Sequence, residues 1–212
     1  MLDQKGWIEY LVGLHAYWGY AGEACSERPH AKMNNGQHSG GFFDGRLVTR
    51  ETSVCTTVCG DLLERLQQDG KVNPNSVWGS AMGAVVLAYE LARQMNKQTG
   101  FTVKHVHDEG MSVGRFPVTE GEYILMVGDV LVTGTTTKNS IIALTANGAV
   151  VLPYILVLVN RSGLTEIEGR KIISLINREL PLWDEVECPY CKEGSKAVRP
   201  RENWAELNGV TV

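Results

Sequence analysis

The sequence predicts an α/β protein in which a parallel, twisted sheet is flanked by helices. From about residue 76, short apolar segments alternate with helical segments, the pattern of parallel strands joined by right-handed crossovers. Small residues are concentrated where two of these strands end, at Gly79 to Gly83 and at Gly128 to Thr137. Ligands of such sheets bind outside the carboxyl ends of the strands, so these two loops are the first candidates for a site.

Each predicted element has its own signal. Apolar residues at helical spacing from Trp7 to Leu14 predict an amphipathic helix that ends before Gly19, and a second helix is predicted from Thr52 to about Gly70. The alternating elements that follow are SVWG, AVVLAYELARQM, FTVKHV, YILMV, TKNSIIALTANG and VVLPYILVLV. Residues 30–45, rich in Gly and Asn, predict a loop that carries two aromatic rings.

Length and composition limit the class of protein. The chain has 212 residues, 43% of them hydrophobic, which suits one domain with a buried core. The net charge is −4 with both signs interspersed, so no nucleic-acid partner is expected. The longest apolar stretch contains Pro153 and is too short to span a membrane, and no secretory signal is visible, so we expect a cytoplasmic protein. The odd number of cysteines, five, predicts reduced thiols.

The stretch YILMVGDVLVTGTTTKNS, residues 123–140, indicates a ligand. Thr133, Gly134, Thr135, Thr136 and Thr137 open a helix after a buried strand, and their N–H groups and hydroxyls could cradle a phosphate. Asp129 would suit ribose hydroxyls or a hydrated magnesium ion. The alternative is a tight turn with Thr as helix cap. The patterns GxxxxGK[ST] and GxGxxG are both absent from the stretch.

Five segments in order resemble type I phosphoribosyltransferases, in particular the orotate phosphoribosyltransferase branch. They are NNGQHSGGFF, VWGSAMGAVVLAYELA, the Asp129 to Thr137 stretch, VLVNRSGLTEIEG and CPYCKEGSKAVRP, spanning residues 30–200. The resemblance implies a single phosphoribosyltransferase-like domain over residues 1–212. Within it, about 1–70 would form an N-terminal helix and hood segment, about 71–165 the core, and about 166–212 a C-terminal segment that completes the small hood.

The resemblance also implies roles for individual residues. Thr133 to Thr137 would hold the 5′-phosphate of phosphoribosyl pyrophosphate, and Asp129 would hold the ribose and, indirectly, Mg²⁺. Pyrophosphate would face the backbone of Ser80, Ala81, Met82 and Gly83. The base would lie against Asn34, Phe42, Phe43 and Arg161. Lys104, His105 and His107 would belong to a mobile catalytic loop, residues 104–116, whose basic residues face pyrophosphate in the family, sometimes from the neighbouring subunit, so a homodimer is implied.

Three departures from the family pattern affect positions that would contact the substrates. Gly128 stands where the family has a second acid, which we expect to weaken sugar binding by about 1–3 kcal/mol if nothing replaces it. Asn34 stands in place of a base-site lysine, and the histidines stand in place of charged pairs. A neutral histidine is a poorer partner for pyrophosphate.

Several of these residues could have a different role. His105 and His107, two apart on a predicted strand, share a face and could bind a metal or be plain surface. Cys188 and Cys191 could bind zinc, joined by Cys55 and Cys59, or could form a reduced turn. Phe42 and Phe43 could be core residues, and Arg161 could close a salt bridge.

The sequence therefore predicts an enzyme that transfers the phosphoribosyl group to a pyrimidine-like base, orotate in the family, with release of pyrophosphate. One alternative is a protein that binds phosphoribosyl pyrophosphate or a nucleotide without turnover. A purely structural domain is the third hypothesis. The base itself is not determined by the sequence.

Overall fold

The computed structural model of the chain describes residues 2–107 and 110–208. The helices of this part are α1 (Gln4–Gly13), α2 (Gly45–Arg50), α3 (Thr52–Asp69), α4 (Val85–Met95), α5 (Thr135–Ala146), α6 (Pro189–Lys192) and α7 (Trp204–Leu207). The strands are β1 (Tyr17–Gly19), β2 (His30–Lys32), β3 (His38–Ser39), β4 (Gly41–Phe43), β5 (Ser76–Ser80), β6 (Gln98–Lys104), β7 (Met111–Val113), β8 (Tyr123–Leu131), β9 (Val150–Asn160), β10 (Glu166–Ile167), β11 (Arg170–Asn177) and β12 (Ala197–Val198).

The central sheet has seven strands in the order β10-β11-β9-β8-β5-β6-β7. Its five inner strands are parallel, which confirms the predicted α/β fold, and its two edge strands are antiparallel, so the sheet is mixed. The β10–β11 edge is a tight hairpin: Glu168 and Gly169 both have positive φ angles, of 51° and 71°. Two consecutive left-handed residues match the right-handed twist of the strands they join.

Helices cover both faces of this sheet, as the alternation along β8 shows. Leu125 and Val127 pack on one face with residues of α1, α3 and α4, whereas Ile124 and Met126 pack on the other face with residues of α5. All four side chains are fully buried, and each such burial stabilises the fold by about 1.5–3 kcal/mol. The strand ends that carry the polar loops are thus held between two apolar layers.

Strand β9 accommodates a proline inside the sheet. The pairing of β8 with β9 shifts register here: Ile124 is opposite Val151, but Met126 is opposite Ile155. Pro153 lies within the extra length of β9. Because proline lacks an N–H group, a bulge is where a strand tolerates it.

A second, three-stranded sheet joins the two ends of the chain. Strand β12 pairs in parallel with β2, which pairs antiparallel with β3. A small apolar cluster lies here, with Trp18, Ala31, Val198 and Leu207 as its buried members. We call strands β12, β2 and β3, with α6 and α7, the hood. This part of the predicted fold is confirmed.

Two predicted elements need correction. Residues 30–45 are not a loop, because they contain β2, β3 and β4, and β4 pairs with β1 in a two-stranded sheet. The strand predicted as FTVKHV ends at Lys104, two residues earlier than expected. Among the described residues, no helix combines the length and apolar character needed to cross a bilayer.

Candidate active site

The loops after β5 and β8 meet around one cavity of about 230 Å³. The two strands are neighbours and parallel, so their carboxyl ends lie side by side. The lining is formed by Ser80, Ala81, Gly83 and residues 128–137. Met82 is not part of the lining among the described residues, and its side chain is 81% exposed.

The far wall of the cavity is the amino end of α5. Gly134 precedes the helix with a φ of 81°, which favours glycine, and a Cβ there would approach Ile167 Cδ1 to 3.0 Å. The first helical hydrogen bond is donated by Lys138 N to Gly134 O, so the N–H groups before it have no partner within the helix. Thr133 Oγ1 lies 3.0 Å from Thr135 Oγ1. Donors, hydroxyls and the positive helix end converge here, the arrangement that binds a phosphate group.

Asp129 lies between this wall and the loop after β5. A Cβ built on Gly83 would overlap with its carboxylate, and a Cβ on Gly45 would lie 3.8 Å from Oδ2. Glycine at position 83 is therefore needed for the carboxylate to occupy this place, whereas the contact at Gly45 is an ordinary van der Waals distance. Burial raises the pKa of Asp129, and the negative charge of Asp44 adds to that rise. A cation or a set of hydroxyl donors at the cavity would relieve this unfavourable environment.

The loop after β5 presents its backbone to the same space. Ala81 N donates to Thr102 O at 2.8 Å and Ala84 N donates to Ser80 O at 3.2 Å. Within the described residues, the N–H groups of Met82 and Gly83 donate to no backbone or side-chain acceptor of the protein. The peptide bond between Ala81 and Met82 is cis. Two free backbone donors beside a carboxylate suit an anion that arrives with a metal ion.

Asp44 is a functional candidate that the sequence reasoning missed. It is buried, it caps α2 by accepting from Arg46 N at 3.2 Å, and Arg46 Nη2 lies 2.5 Å from its Oδ2. Arg201 Nε, from the C-terminal segment, lies 3.3 Å from the same oxygen. Burial raises the pKa of Asp44, but the hydrogen bonds from Arg46 and the charge of Arg201 lower it overall. An Asp directly before a helical segment is a recognisable cap signal, so the sequence did contain a clue.

Phe42 and Phe43 point in opposite directions because they are consecutive in a strand. Phe43 is 6% exposed and packs in the main core, whereas Phe42 is half-buried and packs against the hood. The Phe42 ring lies 6.5 Å from the Trp204 ring, with Arg201 Cζ 5.9 Å from its centre. Of the pair, Phe42 is the ring left partly open to a ligand.

Arg161 is buried at the end of β9. Its Nη2 donates to Ser39 Oγ at 2.8 Å and to Leu180 O at 2.7 Å, and its Nη1 donates to Gly41 O at 3.4 Å. Its Nε is buried without a partner among the described residues. Burial lowers the pKa of Arg161, although the guanidinium stays charged at neutral pH. In this arrangement Arg161 ties the sheet to the β3–β4 segment of the hood side.

Comparison with known proteins identifies the family. The orotate phosphoribosyltransferase of Caldicellulosiruptor bescii is 33% identical over 173 residues, which are 81% of this chain and 87% of that protein. The chain belongs to the orotate phosphoribosyltransferase family. The orotate phosphoribosyltransferase of Acidithiobacillus ferrooxidans is 27% identical and also covers 81% of this chain and 87% of its own length. The chain matches no protein-family model.

Solved structures agree with this assignment. The orotate phosphoribosyltransferase structure from Aeropyrum pernix matches with a TM-score of 0.65 and 27% identity, covering 80% of this chain and 92% of that one. A phosphoribosyltransferase from Corynebacterium diphtheriae, at 21% identity and a TM-score of 0.59, shares the fold. The resemblance stated from the sequence is confirmed.

Gly128, the main departure from the family pattern, is not imposed by lack of space. It is buried on β8, and a Cβ there would meet nothing nearer than Val157 Cγ2 at 3.8 Å and Thr137 Oγ1 at 3.9 Å. Both distances are ordinary van der Waals contacts, so a Cβ fits at this position. The missing carboxylate is therefore a chemical difference from the orotate phosphoribosyltransferase pattern rather than a packing requirement.

The remaining predicted residues of the family site lie around the cavity's rim or farther out. Asn34 is exposed in the β2–β3 turn, which Met33 N closes by donating to Gln37 O at 2.7 Å. Lys104 ends β6, and His105 and His107 lie beyond that strand and are exposed, so the shared strand face predicted for the two histidines is wrong. Residues 108 and 109 of the predicted mobile loop lie outside the described residues. Residues 111–113 form β7 and return along β6.

The cysteine pairs are separated by the fold. Cys55 and Cys59 lie on the buried face of α3 in the main core, with Cys59 Sγ 3.9 Å from Leu87 O. Cys188 and Cys191 lie at the start of α6 in the hood, close to His30 and His38. The suggestion that the two cysteine pairs assemble one site is therefore wrong.

Proposed function

We propose that this protein is an orotate phosphoribosyltransferase, which joins orotate to phosphoribosyl pyrophosphate and releases pyrophosphate. The observation that carries the proposal is the single cavity where the phosphate-binding helix end, the Asp129 carboxylate and the loop after β5 converge. Relatives that cover four-fifths of the chain bear the name of this enzyme. The non-catalytic alternative is not favoured by those relatives.

The 5′-phosphate is the group assigned to the amino end of α5. Thr133 to Thr137 offer hydroxyls and N–H groups at this end, where Thr135 N donates to Thr133 Oγ1 at 3.4 Å, and the helix end favours negative charge. Lys138 does not contribute its charge directly, since its Nζ lies 2.9 Å from Glu168 Oε1. Binding at this remote group fixes the sugar, and the anomeric carbon is thereby positioned for reaction.

The ribose hydroxyls and Mg²⁺ are assigned to Asp129. The fit of the metal rests on the carboxylate's surroundings: burial raises its pKa, and one carboxylate plus substrate phosphates is a usual donor set for Mg²⁺. Bound magnesium supplies positive charge to the departing pyrophosphate. Met82 and Gly83 donate backbone hydrogen bonds to the same leaving group, and these strengthen as the C–O bond breaks and the C–N bond to the base forms.

The base is assigned to the side of the cavity that faces the hood, near Phe42, Arg161 and Asn34. Phe42 offers a half-buried ring for stacking, and Arg161 has one buried donor, Nε, that the protein leaves unpaired within the described residues. Lys104, His105 and His107 lie at the exposed end of β6, where they can approach pyrophosphate if the loop that follows closes.

A homodimer in the cytoplasm is the assembly and location that fit this enzyme. Met82, Val86 and Tyr89 form an exposed apolar stripe before and along α4, with exposed fractions of 81%, 45% and 59%. Stripes of this kind mark interaction surfaces. All five cysteines are free thiols, which suits a reducing compartment. Light scattering on the purified protein measures the subunit number directly.

The proposal is tested by incubating the pure protein with Mg²⁺, phosphoribosyl pyrophosphate and orotate while following orotate consumption and pyrophosphate release. Other pyrimidine and purine bases are run in parallel, and Asp129→Asn is the matched inactive control. We expect orotate to be consumed and turnover to stop when a chelator removes Mg²⁺. Turnover with a different base but not with orotate would correct the substrate, and binding of phosphoribosyl pyrophosphate without any turnover would overturn the assignment as an enzyme.

A further inference from the structure

Four potential metal ligands converge in the hood, away from the cavity described above. His30 and His38 come from the β2–β3 hairpin, and Cys188 and Cys191 come from the start of α6. One ligand atom from each lies within 4.8 Å of all the others. Segments more than 150 residues apart in sequence thus bring these side chains together, as the separations of 158 between His30 and Cys188 and 153 between His38 and Cys191 show.

Four of the six distances between these atoms are close to the edges of a tetrahedral zinc site, and all six are within 4.8 Å. His30 Nε2 lies 3.1 Å from His38 Nδ1, 3.5 Å from Cys188 Sγ and 3.6 Å from Cys191 Sγ, and His38 Nδ1 lies 3.2 Å from Cys191 Sγ. A tetrahedron with Zn–N of about 2.0–2.1 Å and Zn–S of about 2.3 Å has edges of about 3.3–3.8 Å. An ion at the centre therefore needs only small shifts of the side chains.

A hydrogen bond outside the cluster fixes which nitrogen of His30 can act as a ligand. Ser195 Oγ donates its proton to Arg28 O at 2.6 Å, so it accepts from His30 Nδ1, 2.8 Å away. His30 Nδ1 then carries the ring proton, and Nε2 presents a lone pair toward the other three residues. Metal-bound histidines are oriented by this kind of partner on the second nitrogen.

Hydrogen bonding alone does not satisfy the cluster. The single lone pair of His30 Nε2 has three polar neighbours, and it can accept well from only one of them. His30, His38 and Cys188 are 0%, 1% and 0% exposed, so bulk solvent does not reach these side chains. A metal ion would satisfy the four ligand atoms His30 Nε2, His38 Nδ1, Cys188 Sγ and Cys191 Sγ at once.

The donor set selects the ion. Two thiolates and two imidazoles in a tetrahedral arrangement favour Zn²⁺ over hard cations such as Mg²⁺ and Ca²⁺. Two thiolate charges also balance a divalent ion, so the occupied site is neutral and its burial costs little. All four positions are filled by protein, which is the pattern of a structural site rather than a catalytic one.

We propose that His30, His38, Cys188 and Cys191 bind one structural zinc ion that fastens the α6 segment to the β2–β3 hairpin. The hood has a physical need for such a link, because the apolar cluster beside it has four buried members within the described part of the chain. Small units with little core are commonly stabilised by a metal or a disulfide. The ion also fixes His38 beside Ser39, the residue that Arg161 contacts.

Metal content and Co²⁺ substitution test the proposal on the full chain in the presence of a reductant. We expect about one zinc per chain by mass spectrometry of the purified protein. Replacement by Co²⁺ should give the visible bands of a tetrahedral site and the near-ultraviolet charge-transfer bands of cobalt–thiolate bonds. A protein that is purified without metal and develops no such bands with Co²⁺ overturns the proposal, and neither readout depends on enzymatic activity.

Three variants test the ligand set. Cys191→Ser should bind Zn²⁺ at least about tenfold more weakly and lose part of the cobalt–thiolate absorption, whereas Cys25→Ser, which removes another half-buried thiol outside the cluster, should bind one zinc like the parent. Ser195→Ala keeps all four ligands, so it should fold with metal but bind it about 10–100-fold more weakly. Equal zinc affinity in the parent and Cys191→Ser would remove this cysteine from the site and contradict the proposed ligand set.

Discussion

The position of the Asp129 carboxylate depends on the absence of a side chain at Gly83, and Gly83→Ala tests this dependence. A Cβ at residue 83 would lie 2.9 Å from Asp129 Oδ1 and closer still to Oδ2 and Cγ. Real Cβ contacts are not that short, so the carboxylate must rotate away from its place in the cavity. Gly83 itself is exposed, so the substitution should leave the core packing unchanged.

The expected size of the effect follows from what Asp129 would lose. A displaced carboxylate gives up charge-assisted hydrogen bonds to the ribose hydroxyls, each of about 1.5–3 kcal/mol. Since 1.4 kcal/mol is about a factor of ten, phosphoribosyl pyrophosphate should bind about 10–100-fold more weakly to Gly83→Ala. The melting temperature should change by no more than a few degrees, because no buried apolar contact is removed.

Calorimetric titration with phosphoribosyl pyrophosphate and Mg²⁺ measures this affinity, and two comparisons make it specific. Gly128→Ala adds the same methyl group at another residue that lines the cavity, but its nearest neighbour is 3.8 Å away, so its affinity should stay much closer to that of the parent. In an Asp129→Ala background, Gly83→Ala should have almost no further effect. Additive losses, or equal losses in the two alanine variants, would refute the reasoning.

Three further predictions concern charge. Gly128→Asp should tighten Mg²⁺-dependent binding of phosphoribosyl pyrophosphate by about 1–3 kcal/mol, since a Cβ at this position meets only ordinary contacts; titration without Mg²⁺ is the control and should show no gain. Burial raises the pKa of Asp129, so the folded state binds more protons than the unfolded state and stability falls as pH rises through that range; Asp129→Asn should therefore melt higher than the parent at pH 7, with the difference shrinking toward pH 4. Arg93 lowers the pKa of Glu90 to about 2 in the folded state from 4.5, so this carboxylate stabilises the fold above pH 4.5 and loses its effect as pH falls toward 2. Glu90→Gln should be less stable by about 1–3 kcal/mol in denaturant titrations at pH 7 and should match the parent near pH 2.

The central sheet was predictable because each of its main strands has a local sequence signal and short helices join them. Periodicity and small residues at strand ends placed the loops after β5 and β8 at one edge, and β8 does bring Asp129 next to Gly83. The antiparallel edges were not predictable in the same way. β10 has two residues and β7 has three, which is too short for a periodic pattern.

The hood and its ligands were harder to predict because they depend on long-range pairing. Cys188 and Cys191 have a recognisable spacing, but their neighbours His30 and His38 are separated from them by most of the chain. Nothing in sequence spacing distinguishes these histidines from Cys55 and Cys59 as partners. Likewise, the opposite directions of Phe42 and Phe43 follow only once β4 is known to be a strand.

The pairing of β12 with β2 has a consequence for how the protein is made. His30 and its hydrogen-bond partner Ser195 are separated by 165 positions, and strand β12 follows Ser195 directly. The strands of the central sheet can pair as they emerge from the ribosome in turn, whereas β2 must wait for almost the whole chain to be translated before it can pair with β12. During that interval the β2–β3 hairpin lacks its C-terminal partners, so this early-synthesised part of the fold is among the last to be completed.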